Sequence, residues 1–315
     1  MNKYLLMVWV ILSATLVSSC AEEEATPEPT SDAKIRFEFR FDEQQTRLDN
    51  LARPASIPAG NAAQTPDFKA LSVHYIEFAP SALTQLGGGD VLYQNEEVSS
   101  SANGYTTAID FSKAIVSDEG VTFLEVPISE LTPATYEWVR ASVAYQNFEV
   151  RFNVLDIPIN GQNYDVLDQK GTLAGFLGYN TRVGDFQVGE QSVTVNADKA
   201  QGFWAFESEI TIPEFNYTYS DVATGQAPAT TVVNPLAATS PIPAGSCVIT
   251  GAFDRPLEIT GNETEDITVV LSFSIQNSFE WQDTNGNGEW DINVAQATSE
   301  RVADMGLRGL EVKVE

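Results

Sequence analysis

Apolar and polar residues alternate with period two along much of the chain. In KIRFEFRFD, from residue 34 to 42, Ile35, Phe37, Phe39 and Phe41 interleave with Arg36, Glu38 and Arg40. Such alternation marks a strand with one buried and one wet face. Related runs are LSVHYIEF (71–78), VTFLEVPI (121–128), YEWVRASVAYQNFEVRFNV (136–154), SVTVNA (192–197) and FWAFESEITI (203–212). CVITGAF (247–253), ITVVLSFSIQNSFEW (267–281) and GLEVKV (309–314) complete the set. They are rich in β-branched and aromatic residues, and Gly, Pro, Asn and Asp cluster between them. Convincing 3.6-residue periodicity is absent. Ser81 to Leu86 and Tyr164 to Leu177 are the two places where a short helical turn is expected.

The pattern predicts an all-β chain: a β-sandwich with Greek-key or jelly-roll-like connections and long loops over residues 34–315. Residues 213–245 interrupt the rhythm with a Pro-, Ala- and Thr-rich stretch of little charge. It reads as a linker or as a long excursion from one domain. The three or four strands after it are thin for a second sandwich. One compound domain, its C-terminal strands completing the first sheet pair, is therefore expected.

The amino terminus is MNKYLLMVWVILSATLVSSC. Lys3 precedes an apolar run, Tyr4 to Val17, that is short for a bilayer span and suited to a signal peptide. Val17-Ser18-Ser19-Cys20 resembles the lipobox of bacterial lipoproteins. That resemblance implies a signal peptide at 1–19, cleavage before Cys20, and acylation of its sulfur. Acyl chains would then hold the protein on the membrane. Residues 20–33 read as a flexible acidic tether. Glu22, Glu23 and Glu24 resemble the surface-export signal of Bacteroidota lipoproteins, implying an outer-membrane protein displayed outward; a periplasm-facing protein is the alternative. LTPATYEWVRASVAYQNFEVRF, GSCVITGAFDRPLEITGNETEDI, SFEWQDTNGNGEWD and VADMGLRGL resemble uncharacterised lipoproteins of the same type. The first of these stretches also resembles the MbnP-like periplasmic proteins associated with copper-peptide systems, which are expected to be richer in histidine.

Charge narrows the partners. Seventeen Lys and Arg stand against 44 Asp and Glu, a net charge of −27. A nucleic-acid partner is excluded on that balance, as is docking on anionic lipid through a basic patch. Hydrophobic residues at 43% argue against global disorder despite this charge. Two cysteines and one histidine exclude a disulfide scaffold, a multi-thiolate zinc site and a multi-histidine metal centre.

One motif carries metal chemistry. Asp283-Thr284-Asn285-Gly286-Asn287-Gly288-Glu289-Trp290-Asp291 fits the opening of a D-x-[DN]-x-[DN]-G calcium loop. Asp283, Asn285 and Asn287 would supply side-chain oxygens, Glu289 its carbonyl, and Asp291 a carboxylate or a water-mediated contact. Val294 stands where an EF-hand has its bidentate Glu, so Glu300 or Asp304 is expected to complete the shell. The competing reading is a bare Asn-Gly hairpin turn with Trp281 and Trp290 facing each other across the strands.

Other candidates are weaker. His74 and Cys247 are expected to be buried and inert. Glu207 and Glu209 share a strand face and read as solvated, although paired carboxylates also serve glycoside hydrolysis. Trp138, Trp204, Trp281 and Trp290 would serve core packing or a sugar platform. No nucleophile elbow is present. The sequence therefore points to a non-enzymatic, lipid-anchored envelope protein with a binding or structural role and a protein or glycan partner. A carbohydrate-binding lipoprotein using exposed Trp residues is the alternative.

Overall fold

The computed structural model describes residues 32–227, 234, 236–294 and 298–315. The expected signal peptide at 1–19, the expected acylation site Cys20 and nearly all of the expected tether lie outside them. The described residues are all-β, with three single-turn 3-10 segments among them at Phe111–Lys113, Ile128–Glu130 and Pro213–Phe215. Among the described residues, no helix is long and apolar enough to cross a membrane.

The first strands are β1 (Lys34–Asp42), β2 (Asn61–Gln64), β3 (Asp67–Ala79), β4 (Asp90–Gln94), β5 (Glu97–Ser99), β6 (Thr107–Asp110) and β7 (Thr122–Pro127). Two long strands follow, β8 (Ala134–Ile159) and β9 (Gln162–Phe176). Then come β10 (Asn180–Val188), β11 (Gln191–Ala200), β12 (Phe203–Ile212) and β13 (Tyr217–Gln226). The C-terminal part holds β14 (Cys247–Ile259), β15 (Ile267–Ser274), β16 (Phe279–Gln282), β17 (Asp291–Asn293), β18 (Thr298–Ser299), β19 (Val302–Asp304) and β20 (Leu310–Val314).

The organising element is β8. One edge pairs with β3 and, further along, in parallel with β17. The other edge is divided between β14, on residues 134–143, and β9, on residues 145–159. The main sheet runs β13-β12-β9-β8-β14-β20-β15-β1-β7, with β3 and β4 branching from β8. Its β1–β15–β20 part folds over the β3–β8 part, and the buried faces meet. Phe37 packs on Phe78 at 5.7 Å and Phe41 on Phe68 at 5.2 Å between ring centroids. Each fully buried Phe contributes about 1.5–3 kcal/mol relative to exposure.

A four-stranded sheet, β11-β10-β6-β5, covers the opposite face of the main sheet through Tyr145, Phe176, Phe186 and Phe203. Central β3 is also buried on both sides, its second face packing through Tyr75 on Leu86, Ile242 and Val248, which removes the polarity alternation from LSVHYIEF. β1 runs parallel to β15, so the two ends of the chain share one sheet.

Three expectations are revised. Tyr164 to Leu177 lies largely in β9, because pairing with β8 and β12 overrides the weak local helical pattern. Ser81 to Leu86 forms turns, with Thr84 N–H donating to the Ser81 carbonyl at 3.1 Å. The 213–245 stretch contains β13, a full hairpin partner of β12. The C-terminal strands do complete the first sheets: β14 lies between β8 and β20.

Candidate metal loop

Residues 283–290 connect β16 to β17. Those two strands do not form a hairpin. β16 pairs with β2 and β19, whereas β17 pairs with β8 and β18. The loop therefore crosses between sheets, and the bare-hairpin reading does not describe it. Trp281 and Trp290 do not face each other; both pack on Phe279, at 6.0 and 4.9 Å. Trp290 also meets Phe152 and Phe206, and its indole N–H donates to the Glu300 carbonyl at 3.1 Å. This buried ring fixes the loop's C-terminal end to the core.

The motif's polar residues converge. Asp283 Oδ1 accepts Gly286 N–H at 2.7 Å, and Oδ2 accepts Gly288 N–H at 3.0 Å. Gly286 and Gly288 have φ of 75° and 78°, so these turns need glycine. Asn285 Oδ1 accepts Asn287 N–H, and Asn287 Oδ1 accepts Glu289 N–H. Both amide groups donate to Asp291 Oδ2, at 2.7 and 2.9 Å. Asp283, Asn285, Asn287 and Asp291 are thus drawn into one small volume, as the spacing predicts.

Two residues outside the motif complete the cluster. Asn153 on β8 donates to Glu289 Oε2 at 2.7 Å and to Asp291 Oδ1 at 2.9 Å. Glu300 accepts Thr284 N–H at 2.7 Å and Asp291 N–H at 3.1 Å. Asp291 and Glu300 are both buried, and neither has a Lys or Arg within ion-pair distance among the described residues. Asp304 lies elsewhere: Arg308 pairs with it and with Glu280, and Arg47 joins at Glu280. Asp304 is therefore removed from the candidate shell. Among the described residues, no three acidic, histidine or cysteine side chains form a metal-holding group. The loop's oxygen donors are mixed carboxylates and amides.

Glu300 was legible as a candidate. Asn153 was not, since it shares a strand face with Arg151 and reads as a solvated position. Only the parallel pairing of β17 with β8 brings it to the loop.

The remaining candidates fall apart as a constellation. His74 is buried on β3, its Nε2 unpartnered, and burial lowers its pKa to about 3. Burial, then the charge of Asp304, pushes the Cys247 thiol up to about 12, so it stays protonated. Glu207 accepts the Glu190 N–H at 3.1 Å and holds the β10–β11 turn, while Glu209 is exposed. Trp281 and Trp290 are core residues closed to a ligand, and Trp138 and Trp204 are half-buried. Trp204 lies over Gly225 of β13, where a Cβ would meet its ring at 2.3 Å. No family model matches the chain, and comparison with curated proteins and with solved structures finds no match.

Proposed function

We propose that the chain is a lipid-anchored, non-catalytic protein of the bacterial cell envelope, held by acylated Cys20 and displayed outward on its acidic tether. Its β-sandwich serves a binding or structural role. Val17-Ser18-Ser19-Cys20 after the apolar leader carries this reading. Cys20→Ala is expected to abolish incorporation of a fatty-acid analogue, and equal labelling of the variant and wild type would overturn it. Replacing Glu22, Glu23 and Glu24 with Ala is expected to protect the protein from protease added to intact cells while leaving it membrane-bound. Unchanged shaving would reduce the acidic run to a spacer.

The proposal includes a structural calcium ion in the 283–291 loop. Hard oxygen donors suit that cation. Asp283 and Asp291 would supply carboxylate oxygens, Glu289 a carbonyl, and Asn285 and Asn287 their amide oxygens. Two buried carboxylates, Asp291 and Glu300, lacking a cationic partner support it. With few charged ligands, affinity of about 10⁻⁴–10⁻³ M is expected. Calcium at ten times Kd then adds about 1.4 kcal/mol, raising Tm by about 1–4 °C. Asp283→Ala is expected to remove this increment in a titration at matched ionic strength, and magnesium is expected to substitute poorly. An equal rise in wild type and variant would mean nonspecific screening of the net charge.

A further inference from the structure

The chain contains four Asn-Gly pairs: Asn103-Gly104, Asn160-Gly161, Asn285-Gly286 and Asn287-Gly288. An Asn side chain is open to attack at Cγ by the backbone nitrogen of the residue after it. Glycine in that place favours the attack, because it has no Cβ to obstruct it. Asn103 and Asn160 have φ of 56° and 52°. In this left-handed region ψ is positive as well, which sets the following nitrogen anti to the residue's own Cβ and out of reach of Cγ. Asn285 and Asn287 do not adopt it. Both are exposed, as are the glycines that follow them.

The 283–291 loop also assembles the groups such an attack uses. The Asp283 carboxylate accepts the N–H of Gly286 and of Gly288, so an anionic oxygen is in place to draw the proton from each attacking nitrogen. Asn285 Oδ1 accepts Asn287 N–H at 2.9 Å, and Asn287 Oδ1 accepts Glu289 N–H at 2.8 Å. These donors hold the oxygen on which charge develops. They also fix which way each carboxamide faces. Its oxygen is turned to the backbone and its nitrogen to Asp291 Oδ2. A third amide, from Asn153, donates to Asp291 Oδ1. Three amide N–H groups thus do for Asp291 what a cation would do.

We propose that Asn285 and Asn287 are sites of deamidation, and that their conversion turns the loop into one that requires a cation. The glycine nitrogen bonds to Cγ and the Cγ–Nδ2 bond breaks. Ammonia leaves with the glycine proton, and a succinimide remains. Water opens the ring to aspartate or isoaspartate, so each site consumes one water and releases one ammonia. In the aspartate product one oxygen keeps the backbone N–H and the other replaces the nitrogen that faced Asp291. Asp291 then meets acceptors where it had donors, and the like charges repel unless a cation joins them. Cation affinity rises with the charge count of the ligands. This second step rests on the reading of the loop as a calcium site, and the first does not.

The test ages the full chain in chelator at mildly alkaline pH and follows all four pairs by peptide mapping with mass spectrometry. The mass gain of amide-to-acid exchange is expected at Asn285 and Asn287 at least about tenfold faster than at Asn103 and Asn160. In urea the four rates are expected to converge. Equal rates in the folded chain, no conversion in the loop, or a difference that persists in urea would overturn the proposal. The double variant Asn285→Asp, Asn287→Asp stands for the product. It is expected to melt below wild type in chelator and to bind calcium at least about tenfold more tightly in a titration of Tm. Equal stability in chelator would show that the amides do not hold Asp291, and would overturn the second step. Conversion at both sites with no gain in calcium response would support the modification and overturn the calcium reading of the loop, so the two failures are distinct. If the variant folds in neither condition, the calcium titration of the aged wild-type chain decides.

Discussion

The Glu77 side chain is completely buried, and its surroundings explain why it is tolerated. Its carboxylate accepts Gly87 N–H at 2.9 Å, Gly89 N–H at 2.7 Å and the Tyr75 hydroxyl at 3.1 Å, with Arg140 Nη1 at 3.8 Å. Arg140, also buried, donates to the Thr84 carbonyl at 2.6 Å. Together they tie the 80–89 turns to the sheet. Burying a charge costs several kcal/mol, so removing one member strands the other. Glu77→Ala is expected to cost about 3–5 kcal/mol in urea denaturation and to open the 80–89 turns to proteolysis. A loss under about 1 kcal/mol would show that water reaches Arg140. His74, three residues away, gives a pH-dependent counterpart. Burial holds its folded pKa near 3, against 6.5 for the free side chain. Between these values the unfolded chain binds a proton that the folded chain refuses. Stability therefore falls as pH drops below 6.5, by at most about 1.4 kcal/mol per pH unit, and is independent of this group above it. His74→Gln is expected to flatten that slope between pH 6 and 5, measured by urea titration. An unchanged slope would mean the imidazole protonates in place.

At the scale of elements, the strands with clean alternation were the most legible. β1 spans the residues its pattern marks, and β12 matches FWAFESEITI end to end. The long strand β8 was legible as one run, but its division between two partners on one edge was not, because local pattern carries no pairing information. β13 was missed although Tyr217 and Tyr219 alternate with Thr218 and Ser220. Its exposure leaves little apolar signal, and the Ala- and Pro-rich stretch after it reads as a linker. The candidate loop was legible to the same extent. Its spacing drew four motif residues together, while its second support, Asn153, comes from 130 or more positions away along the chain. Asn153 joins β8 to the loop through Glu289 and Asp291, and its Oδ1 accepts Asp168 N–H at 2.9 Å. Asn153→Ala leaves the buried Asp291 carboxylate short of a donor, while the exposed Glu289 and Asp168 can turn to water. It is expected to cost about 1–3 kcal/mol in chelator as well as in calcium, measured by denaturation. A cost that vanishes in chelator would assign Asn153 to the ion's shell instead of the fold.

Over the whole molecule, chain order and spatial order diverge, and this bears on whether the chain is one cooperative unit. Among the described strands β1 pairs with β7 and β15, and β15 arrives more than 200 residues later. β14 fills the edge of β8 along residues 134–143, covering Val139, Ala141 and Val143 within one core. β20 then bridges β14 to β15. Among the described residues, strands before and after the 213–245 stretch thus share a single sheet. Such long-range pairing also predicts slow folding, since loop closure precedes the contacts that offset it. The four tryptophans among the described residues are distributed over β8, β12, β16 and the 283–290 loop, so fluorescence samples both halves of the sequence. Urea transitions followed by tryptophan fluorescence and by far-UV circular dichroism are expected to coincide, as for one two-state unit. A chain ending at Gln226 is expected to show no cooperative transition at all. It would lack β14, β15 and β20, leaving β1 held by β7 alone and the apolar residues of β8 uncovered. Two separated transitions, or a truncated chain that melts cooperatively, would establish an independent N-terminal domain and return 213–245 to the role of an inter-domain linker.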